Sequence, residues 1–377
     1  MNKRNVLIIT SHYPPNIGGV ESHLQALVTA LNKYGWGVLI STYQPLASSD
    51  SAPLIETKPG FKCFRLPWLG FNIVHILTNY PALEFFYLFP GLLILSFLVL
   101  VRYFKIIDVI HCQGLVPTAV GILLGKIFKK RVISSTHNLY FFPQNGLYKN
   151  FSKIIFSSAD QVLTPSEAAK KELIKIGVPK QKIKPFRYWI NLKTFTAVNK
   201  QIAKTKLGWQ GFSIFFVGRL IETKGVNVIL KVVQRVKNVN FVIAGAGPLD
   251  QVIKRDVNKY SNLKFIGRIE NKDLYLYYSA ADLVLVPSLV DEGFGFVAME
   301  STACGTPVLA SRRGGLSDAV AKSNGMLFEP TVEQMEKSIR YLLSHQNILK
   351  KIELGCRKHA QDNFSKENIK YILKAYG

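Results

Sequence analysis

The chain is poor in cysteine and in acidic residues, and it lacks the usual signatures of disulfide, zinc and dinucleotide chemistry. Its four cysteines, among 377 residues, form no C-x-x-C pair, which argues against a disulfide framework or structural zinc and suits a reducing cytosol. No G-x-x-x-x-G-K-[ST] phosphate loop occurs. VIAGAGPLD (242–250) has Asp250 where a dinucleotide fingerprint requires a third glycine, so we interpret Gly245 and Gly247 as a tight turn.

The shortage of acidic residues leaves a large positive charge. Asp and Glu number 24 against 48 Lys and Arg, which gives a formal net charge of +24. Such an excess indicates a polyanionic partner, which is nucleic acid, an anionic membrane face or a phosphorylated substrate. The first apolar run, VLIIT (6–10), is too short for a signal peptide and predicts a strand. We therefore expect a cytoplasmic protein.

Short apolar runs alternate with helical patterns along the whole chain. Continuous apolar strands separated by helices are typical of parallel sheets that are covered on both faces. Two such series predict two doubly wound domains with a cleft between them. The pattern pauses in RYWINLKTFTAVNK, and we expect the domain boundary near residues 186–200.

One segment, 82–104, is unusually apolar. It carries no charge from Phe85 to Val101, close to the ~20 residues of a spanning helix. A buried crossover helix and a helix that lies on a membrane remain as alternatives. We reject a span, because it would separate the first strands from the rest of their sheet. The aromatic density and the adjacent Arg102 and Lys105 favour contact with an anionic bilayer.

Three loops that follow predicted strands carry candidate binding residues. In SHYPPNIGGVESH (11–23), Gly18 and Gly19 precede a helix, where a phosphate could approach unpaired N–H groups. In VGRLIETKGV (217–226), Arg219 and Lys224 are the two cations that a diphosphate requires.

The third loop, DEGFGFVAME (291–300), combines two carboxylates with two glycines. Glu292 lies in the predicted loop, and Glu300 lies about one turn inside the following helix. Carboxylates accept hydrogen bonds in pairs and suit the vicinal hydroxyls of a ribose or hexose. Gly293 and Gly295 leave backbone N–H groups for further sugar oxygens.

Histidines end two predicted strands. His137 in STHN (135–138) is a candidate donor to a sugar hydroxyl or a phosphate, whereas His111 in HCQG (111–114) is a weaker one.

These segments, together with FVIAGAGP, FIGRIENKDLYLYYSAADLVLVPS and EGFGFVAMESTACGTPVLASRRGGLSDAV, resemble the retaining glycosyltransferases of family four in order and spacing. The resemblance implies the GT-B fold, an α/β architecture of two facing Rossmann-like, doubly wound parallel-sheet domains with an interdomain cleft and a C-terminal crossover helix. The implied parts are an acceptor-binding domain at 1–190, a nucleotide-sugar domain at 191–362 and a helix at 363–377 that returns to the N-terminal domain.

The resemblance also implies roles for individual residues. Glu300 would bind the ribose, and His137 would sit beside the reaction centre. Catalytic roles fall to His137, Arg219, Lys224 and Glu292. The residues that would contact the diphosphate are Gly18, Gly19, Arg219 and Lys224. Those that would contact the transferred sugar are Glu292, Gly293, Phe294 and Gly295, and those that would lie along the base are Gly267, Arg268 and Ile269.

The expected reaction is transfer of a sugar, with retention and without metal or cofactor, from a UDP- or GDP-sugar to a membrane-associated lipid or lipid-linked saccharide. The apolar segment and the basic N-terminal domain would place the enzyme at the inner face of the membrane, with no role for nucleic acid. Two alternatives remain: a GT-B isomerase or hydrolase of nucleotide sugars, and a non-catalytic polyanion binder.

Overall fold

The computed structural model describes residues 4–16, 18–46, 51–67, 77, 80–137 and 146–377. They form two compact units. One contains residues up to 188 together with Lys366–Gly377, and the other is Trp189–Ser365.

The first unit is built on a mixed sheet with strand order β3-β4-β2-β1-β5-β6-β7-β8. Its strands are β1 Asn5–Thr10, β2 Gly37–Tyr43, β3 Ile55–Lys58, β4 Phe61–Leu66, β5 Val109–Gln113, β6 Arg131–Ser135, β7 Gln161–Thr164 and β8 Ile183–Pro185. Its helices are α1 Gly19–Lys33, α2 Pro81–Tyr103, α3 Leu115–Phe128, α4 Leu147–Ser158 and α5 Glu167–Lys175, with a 3₁₀ turn at Lys180–Lys182. Only β3 among these strands runs antiparallel, as the edge partner of β4.

The second unit contains a parallel sheet with strand order β11-β10-β9-β12-β13-β14. Its strands are β9 Ser213–Arg219, β10 Asn240–Ala246, β11 Leu263–Phe265, β12 Leu283–Val286, β13 Val308–Ser311 and β14 Gly325–Phe328. Its helices are α6 Lys200–Leu207, α7 Val226–Arg235, α8 Asp250–Val257, α9 Leu274–Ala280, α10 Phe296–Ala303, α11 Leu316–Ala319, α12 Val332–Ser344 and α13 Gln346–Asn363, with a 3₁₀ turn at Glu222–Lys224.

The predicted parallel strands are present in both units, because continuous apolar runs are buried on both faces of each sheet. In β1, for example, Val6 through Ile9 are fully buried. The hairpin of β3 and β4 was not predicted. Its short edge strand has only one half-buried position, so it carries no clear alternation of apolar and polar residues.

The chain ends in α14, Ile369–Tyr376, after a 3₁₀ turn at Lys366–Asn368. This helix packs on the first unit: Tyr376 lies edge-on against Trp36, and its hydroxyl is 2.8 Å from Nδ1 of His111. The other ring nitrogen of His111 is 2.7 Å from Ser135 Oγ. His111 is fully buried, and burial lowers its pKa to about 3, so it is a neutral structural link between α14 and the sheet.

Within the described residues, α2 is the one helix long and apolar enough to cross a membrane by length and composition, and a third of that stretch is buried in the protein. Leu92 and Leu100 pack fully buried in the core of the first unit. Because α2 connects β4 and β5 of one sheet, it lies along that sheet with one face buried and the other exposed.

Candidate functional site

The candidate binding residues of the second unit lie near β9, the strand from which the chain builds the sheet first to one side and then to the other. From β9 the chain proceeds to β10 and β11 on one side, and then returns to β12 on the other side of β9. Arg219 ends β9, and the loop 287–295 follows β12. Ligands of open α/β sheets bind at the carboxyl ends of strands at such a reversal.

Two loops approach each other closely at this position because Gly225 has no side chain. Its φ is +77°, and a Cβ there would lie 2.0 Å from the carbonyl oxygen of Pro287. The Leu289 N–H also donates to the Thr223 carbonyl at 2.8 Å. The turn that carries Lys224 is therefore fixed against the loop that carries Glu292.

A lysine, a serine and a glutamate meet between these loops. Lys224 Nζ and Ser288 Oγ both donate to the same carboxylate oxygen, Glu292 Oε1. Among the described residues, Oε2 of Glu292 has no hydrogen-bond partner. The carboxylate is thus oriented through one oxygen, while the other can accept a hydrogen bond from a ligand hydroxyl.

Glu300 is held in a similar way. Its Oε2 accepts a hydrogen bond from the hydroxyl of Tyr278 at 2.8 Å, and no other described residue bonds its side chain. Burial raises the pKa of Glu300 to about 7, with the Tyr278 hydrogen bond acting in the opposite direction. At neutral pH this carboxyl is therefore divided between its protonated and ionised forms.

The loop that carries Glu292 also packs closely against the backbone at Gly315. The Gly315 N–H donates to the Glu292 carbonyl at 2.7 Å, and a Cβ on Gly315 would lie 2.2 Å from the carbonyl oxygen of Gly293. Phe294 is buried, which anchors the loop. Gly295 immediately precedes α10, at φ +113° and without a side-chain cap.

The remaining candidates of the second unit are more exposed. Arg219 is exposed, and its guanidinium has no ion-pair or hydrogen-bond partner within the described part of the chain. Gly267, Arg268 and Ile269 follow β11, and the Gly267 carbonyl accepts from the Gly245 N–H at 2.8 Å.

The glycines of VIAGAGPLD are explained by close packing between strand ends. A Cβ on Gly245 would lie 1.9 Å from the Gly218 carbonyl oxygen, and one on Gly247 would lie 2.6 Å from that of Leu220. Asp250 accepts a hydrogen bond from the Gly247 N–H at 2.8 Å. This structure agrees with the interpretation of the motif as a tight turn.

In the first unit, Gly18 and Gly19 stand at the start of α1, as the sequence predicts. The side chain of Glu21 lies against Gly18, since a Cβ on Gly18 would lie 2.3 Å from its carboxylate oxygen. A negative charge of the chain itself thus lies at this helix start, where the helix dipole favours it.

His137 is buried with both ring nitrogens engaged in the first unit. Nε2 is 2.5 Å from Gln113 Oε1, and Nδ1 is 2.6 Å from the Tyr188 hydroxyl. Because the amide oxygen can only accept, Nε2 carries the proton and Nδ1 accepts from Tyr188. Burial lowers the pKa of His137 to about 3. A catalytic role for this neutral ring stays a prediction.

Several residues that shape the site were missed by reasoning from sequence. Ser288 follows a predicted strand, and its position beside Glu292 was a usable signal. Tyr278 had none, because it lies inside the apolar and aromatic run LYLYYSAADLVLV (274–286). No group of three or more potential metal ligands occurs in the described ranges, and the expectation of metal-free chemistry stays untested.

Family models match both units. The Glycosyltransferase Family 4 model matches residues 17–193, and the model of Glycosyl transferases group 1 matches residues 198–359. The two matches together run over most of the chain, and the protein therefore belongs to this glycosyltransferase family, as its motifs predicted.

Individual relatives align with most of the chain. The chain is 28% identical to an uncharacterized glycosyltransferase of Methanocaldococcus jannaschii over 97% of this chain and 95% of that protein. It is 24% identical to a phosphatidylinositol N-acetylglucosaminyltransferase component of Arabidopsis thaliana, over 91% and 75%. It is 25% identical to the D-inositol 3-phosphate glycosyltransferase of Mycolicibacterium smegmatis, over 84% and 78%.

Solved structures establish the fold. Sucrose-phosphate synthase from Thermosynechococcus elongatus has a TM-score of 0.82 at 23% identity, over 98% of this chain and 97% of that one. HepE of Anabaena in complex with UDP has a TM-score of 0.76 at 18% identity, over 98% of both chains. The predicted GT-B fold, with two parallel-sheet domains, is confirmed.

Proposed function

We propose that the protein transfers a sugar, with retention of configuration and without a metal ion, from a UDP- or GDP-sugar to a lipid or lipid-linked saccharide at a membrane. The observation that carries this proposal is the cluster at the strand reversal of the second unit. There Lys224 and Ser288 orient Glu292, and Tyr278 orients Glu300.

The residues at this reversal match the parts of a nucleotide sugar. Arg219 and Lys224 supply positive charge for the diphosphate. Glu300 has a carboxylate oxygen for the ribose hydroxyls. Glu292 has one for the transferred sugar, which the loop amides at 293–295 would also contact. Residues 267–269 would lie along the base, while phosphate contacts by Gly18 and Gly19 stay a prediction from the family resemblance.

The chemistry assigned to the two cations is stabilisation of the leaving group. The bond from the anomeric carbon to the phosphate oxygen breaks, and the acceptor hydroxyl bonds to the same face of that carbon. The proton of the hydroxyl passes to the leaving phosphate, so no carboxylate base is required. Negative charge develops on the diphosphate, where Arg219 and Lys224 are most effective.

The donor and the acceptor are inferred from the relatives and from composition. The relatives named for phosphatidylinositol and for D-inositol 3-phosphate support an inositol-bearing acceptor, and a polyprenyl-linked saccharide remains an alternative. The structure of HepE with UDP-glucose supports a uridine donor. The apolar 82–104 segment and the charge of +24 support a peripheral position at the inner membrane face.

A thermal-shift panel with UDP, GDP, ADP and their sugar conjugates tests donor binding, and radiolabelled transfer to lipid extracts tests the reaction. Arg219→Ala is expected to lower kcat/KM by roughly 10²–10³, and Glu300→Ala to weaken nucleotide-sugar binding. Matched controls are Arg255→Ala and Glu333→Ala, which remove exposed charges elsewhere in the second unit.

Full transferase activity in both site variants would refute the assignment of the site. Donor turnover without any acceptor would favour a hydrolase or isomerase instead. Salt-sensitive DNA binding that survives Glu300→Ala, with no shift by any nucleotide, would favour the polyanion binder.

A further inference from the structure

Three helices form one layer on a single face of the sheet in the first unit. α2, α3 and α4 follow β4, β5 and β6, and each connection leads in the same direction across the sheet order. Right-handed crossovers therefore place all three on the same face. Aromatic contacts join the three helices. The ring centroids of Phe97 in α2 and Phe128 in α3 are 5.9 Å apart, and those of Phe85 in α2 and Phe151 in α4 are 4.9 Å apart.

The outer surface of this layer is apolar. A helix that covers a sheet in water normally presents polar residues outward. Here Phe86 is 70% exposed, Ile127 is 60% exposed and Leu147 is 89% exposed, one on each helix. We call the exposed apolar side chains of the layer the outer apolar surface; they are Leu83, Phe86, Ile94, Phe97, Leu98 and Val101 of α2, Leu123 and Ile127 of α3, and Leu147, Phe151 and Ile154 of α4.

The spacing on α2 shows that this exposure follows the helix geometry. Residues 83, 86, 90, 94, 97 and 101 recur every three or four positions and are all exposed, so they make one continuous stripe along the helix. Each of them is apolar. Isolated exposed apolar residues are ordinary, but a stripe joined by those of two neighbouring helices marks an interaction surface.

Positive charge borders the outer apolar surface. Over 81–158 the acidic residues are Glu84 and Asp108, and Asp108 accepts a hydrogen bond from the Asn5 N–H. The exposed basic residues of the same range are Arg102, Lys105, Lys126, Lys129 and Lys153. An apolar surface with a cationic border is complementary to lipid chains beneath anionic headgroups.

The charge selects a bilayer over a second copy of the chain. A symmetric dimer through this surface would bring each basic border against another basic border, which is unfavourable. An anionic bilayer instead offers negative headgroups around an apolar interior. Because α2 is bound at Leu92 and Leu100 to the core of the sheet, the contact is peripheral.

We propose that the outer apolar surface of α2, α3 and α4 docks as a unit on an anionic lipid bilayer, and that α3 and α4 are required for it in addition to the apolar α2. The biological purpose of this contact rests on the proposed function, which places the acceptor in a membrane. The contact itself can be measured without any transfer reaction.

Flotation of the full chain with phosphatidylcholine vesicles, with and without phosphatidylglycerol, tests the proposal. We expect preferential binding to the anionic vesicles and weakening by salt. The double variants Leu123→Ser/Ile127→Ser and Leu147→Ser/Ile154→Ser are each expected to reduce binding about tenfold or more. The control Ile202→Ser/Leu354→Ser removes side chains that are 54% and 72% exposed in the second unit and should leave binding unchanged.

Several outcomes would overturn the proposal. These are no binding to anionic vesicles, equal binding to neutral ones, equal loss in the control variant, or full binding by both layer variants. If the wild type forms a dimer and the two double variants of α3 and α4 do not, the partner of the outer apolar surface is a second copy of the chain and not a bilayer. A thermal shift with nucleotides, measured without vesicles, tests the proposed donor site separately. If nucleotides stabilise the protein but it does not bind vesicles, only the docking proposal is refuted. If it binds vesicles but no nucleotide stabilises it, only the donor site is refuted.

Discussion

Nucleotide-sugar affinity should depend on pH through Glu300. The pKa of this carboxyl is raised to about 7 by burial, against an ordinary value of 4.5. Ribose hydroxyls donate to the ionised form, so affinity should be constant well above pH 7 and should fall as the pH drops below it. About one pH unit below the pKa, where about a tenth of the carboxyls are ionised, binding should be about tenfold weaker.

Tyr278→Phe sharpens this prediction, because it removes the hydroxyl that donates to Glu300 while keeping the buried ring. A hydrogen bond to a charged acceptor contributes about 1.5–3 kcal/mol, and one pKa unit corresponds to 1.36 kcal/mol. The pKa of Glu300 should therefore rise by about one to two units, and the midpoint of the affinity profile should move upward equally. Tyr277→Phe, on the same helix and without a bond to Glu300, is the matched control.

Isothermal titration calorimetry across pH with a nucleotide sugar is the suitable assay, because its diphosphate has no terminal phosphate that titrates near neutrality. Glu300→Gln should give a flat profile, since the amide does not ionise. The reasoning is refuted if wild-type affinity is independent of pH, or if Tyr278→Phe and Tyr277→Phe have identical profiles. In the ligand-free protein the raised pKa of Glu300 should lower the free energy of unfolding by roughly 3 kcal/mol as the pH rises from about 4.5 to about 7.

Two stability predictions concern close approach and buried hydrogen bonding. Gly225→Ala should destabilise by more than ~2 kcal/mol in thermal denaturation, because its Cβ would lie 2.0 Å from the Pro287 oxygen. Gly208→Ala, at φ +65° with no atom within 4 Å, should cost only about 1 kcal/mol, and equal effects would contradict the packing explanation. Tyr376→Phe should cost ~1–3 kcal/mol in urea denaturation, because it leaves Nδ1 of the buried His111 without its hydrogen-bond partner, and no measurable loss would contradict that role.

Much of this fold was predictable because parallel strands buried on both faces are continuous apolar runs. VLIIT and LVLVPS could be recognised without any knowledge of their neighbours, and the residues that follow them belong to the carboxyl edge of a sheet. Arg219, Lys224 and Glu292 became candidate binding residues for this reason. Their positions relative to a strand end are local properties of the sequence.

The partners that orient these side chains were less accessible. Tyr278 and Glu300 lie on different helices, and their hydrogen bond depends on the packing of α9 against α10. His137 illustrates the same limit: its place after a strand suggested a reactive ring, whereas Gln113 and Tyr188 engage both nitrogens. Contacts between distant segments depend on the tertiary arrangement, which spacing along the chain does not encode.

The apolar segment at 82–104 shows why composition alone could not decide between a core helix and a membrane surface. Both alternatives need the same residues, and they differ only in which side of the helix the sheet covers. The structure covers Leu92 and Leu100 and leaves Phe86 exposed, so one helix has an apolar face for each environment. A helix that was only part of a soluble core would gain nothing from its second apolar face. The exposed face of α2 and its basic border are therefore the two observations on which the proposed docking to an anionic bilayer rests.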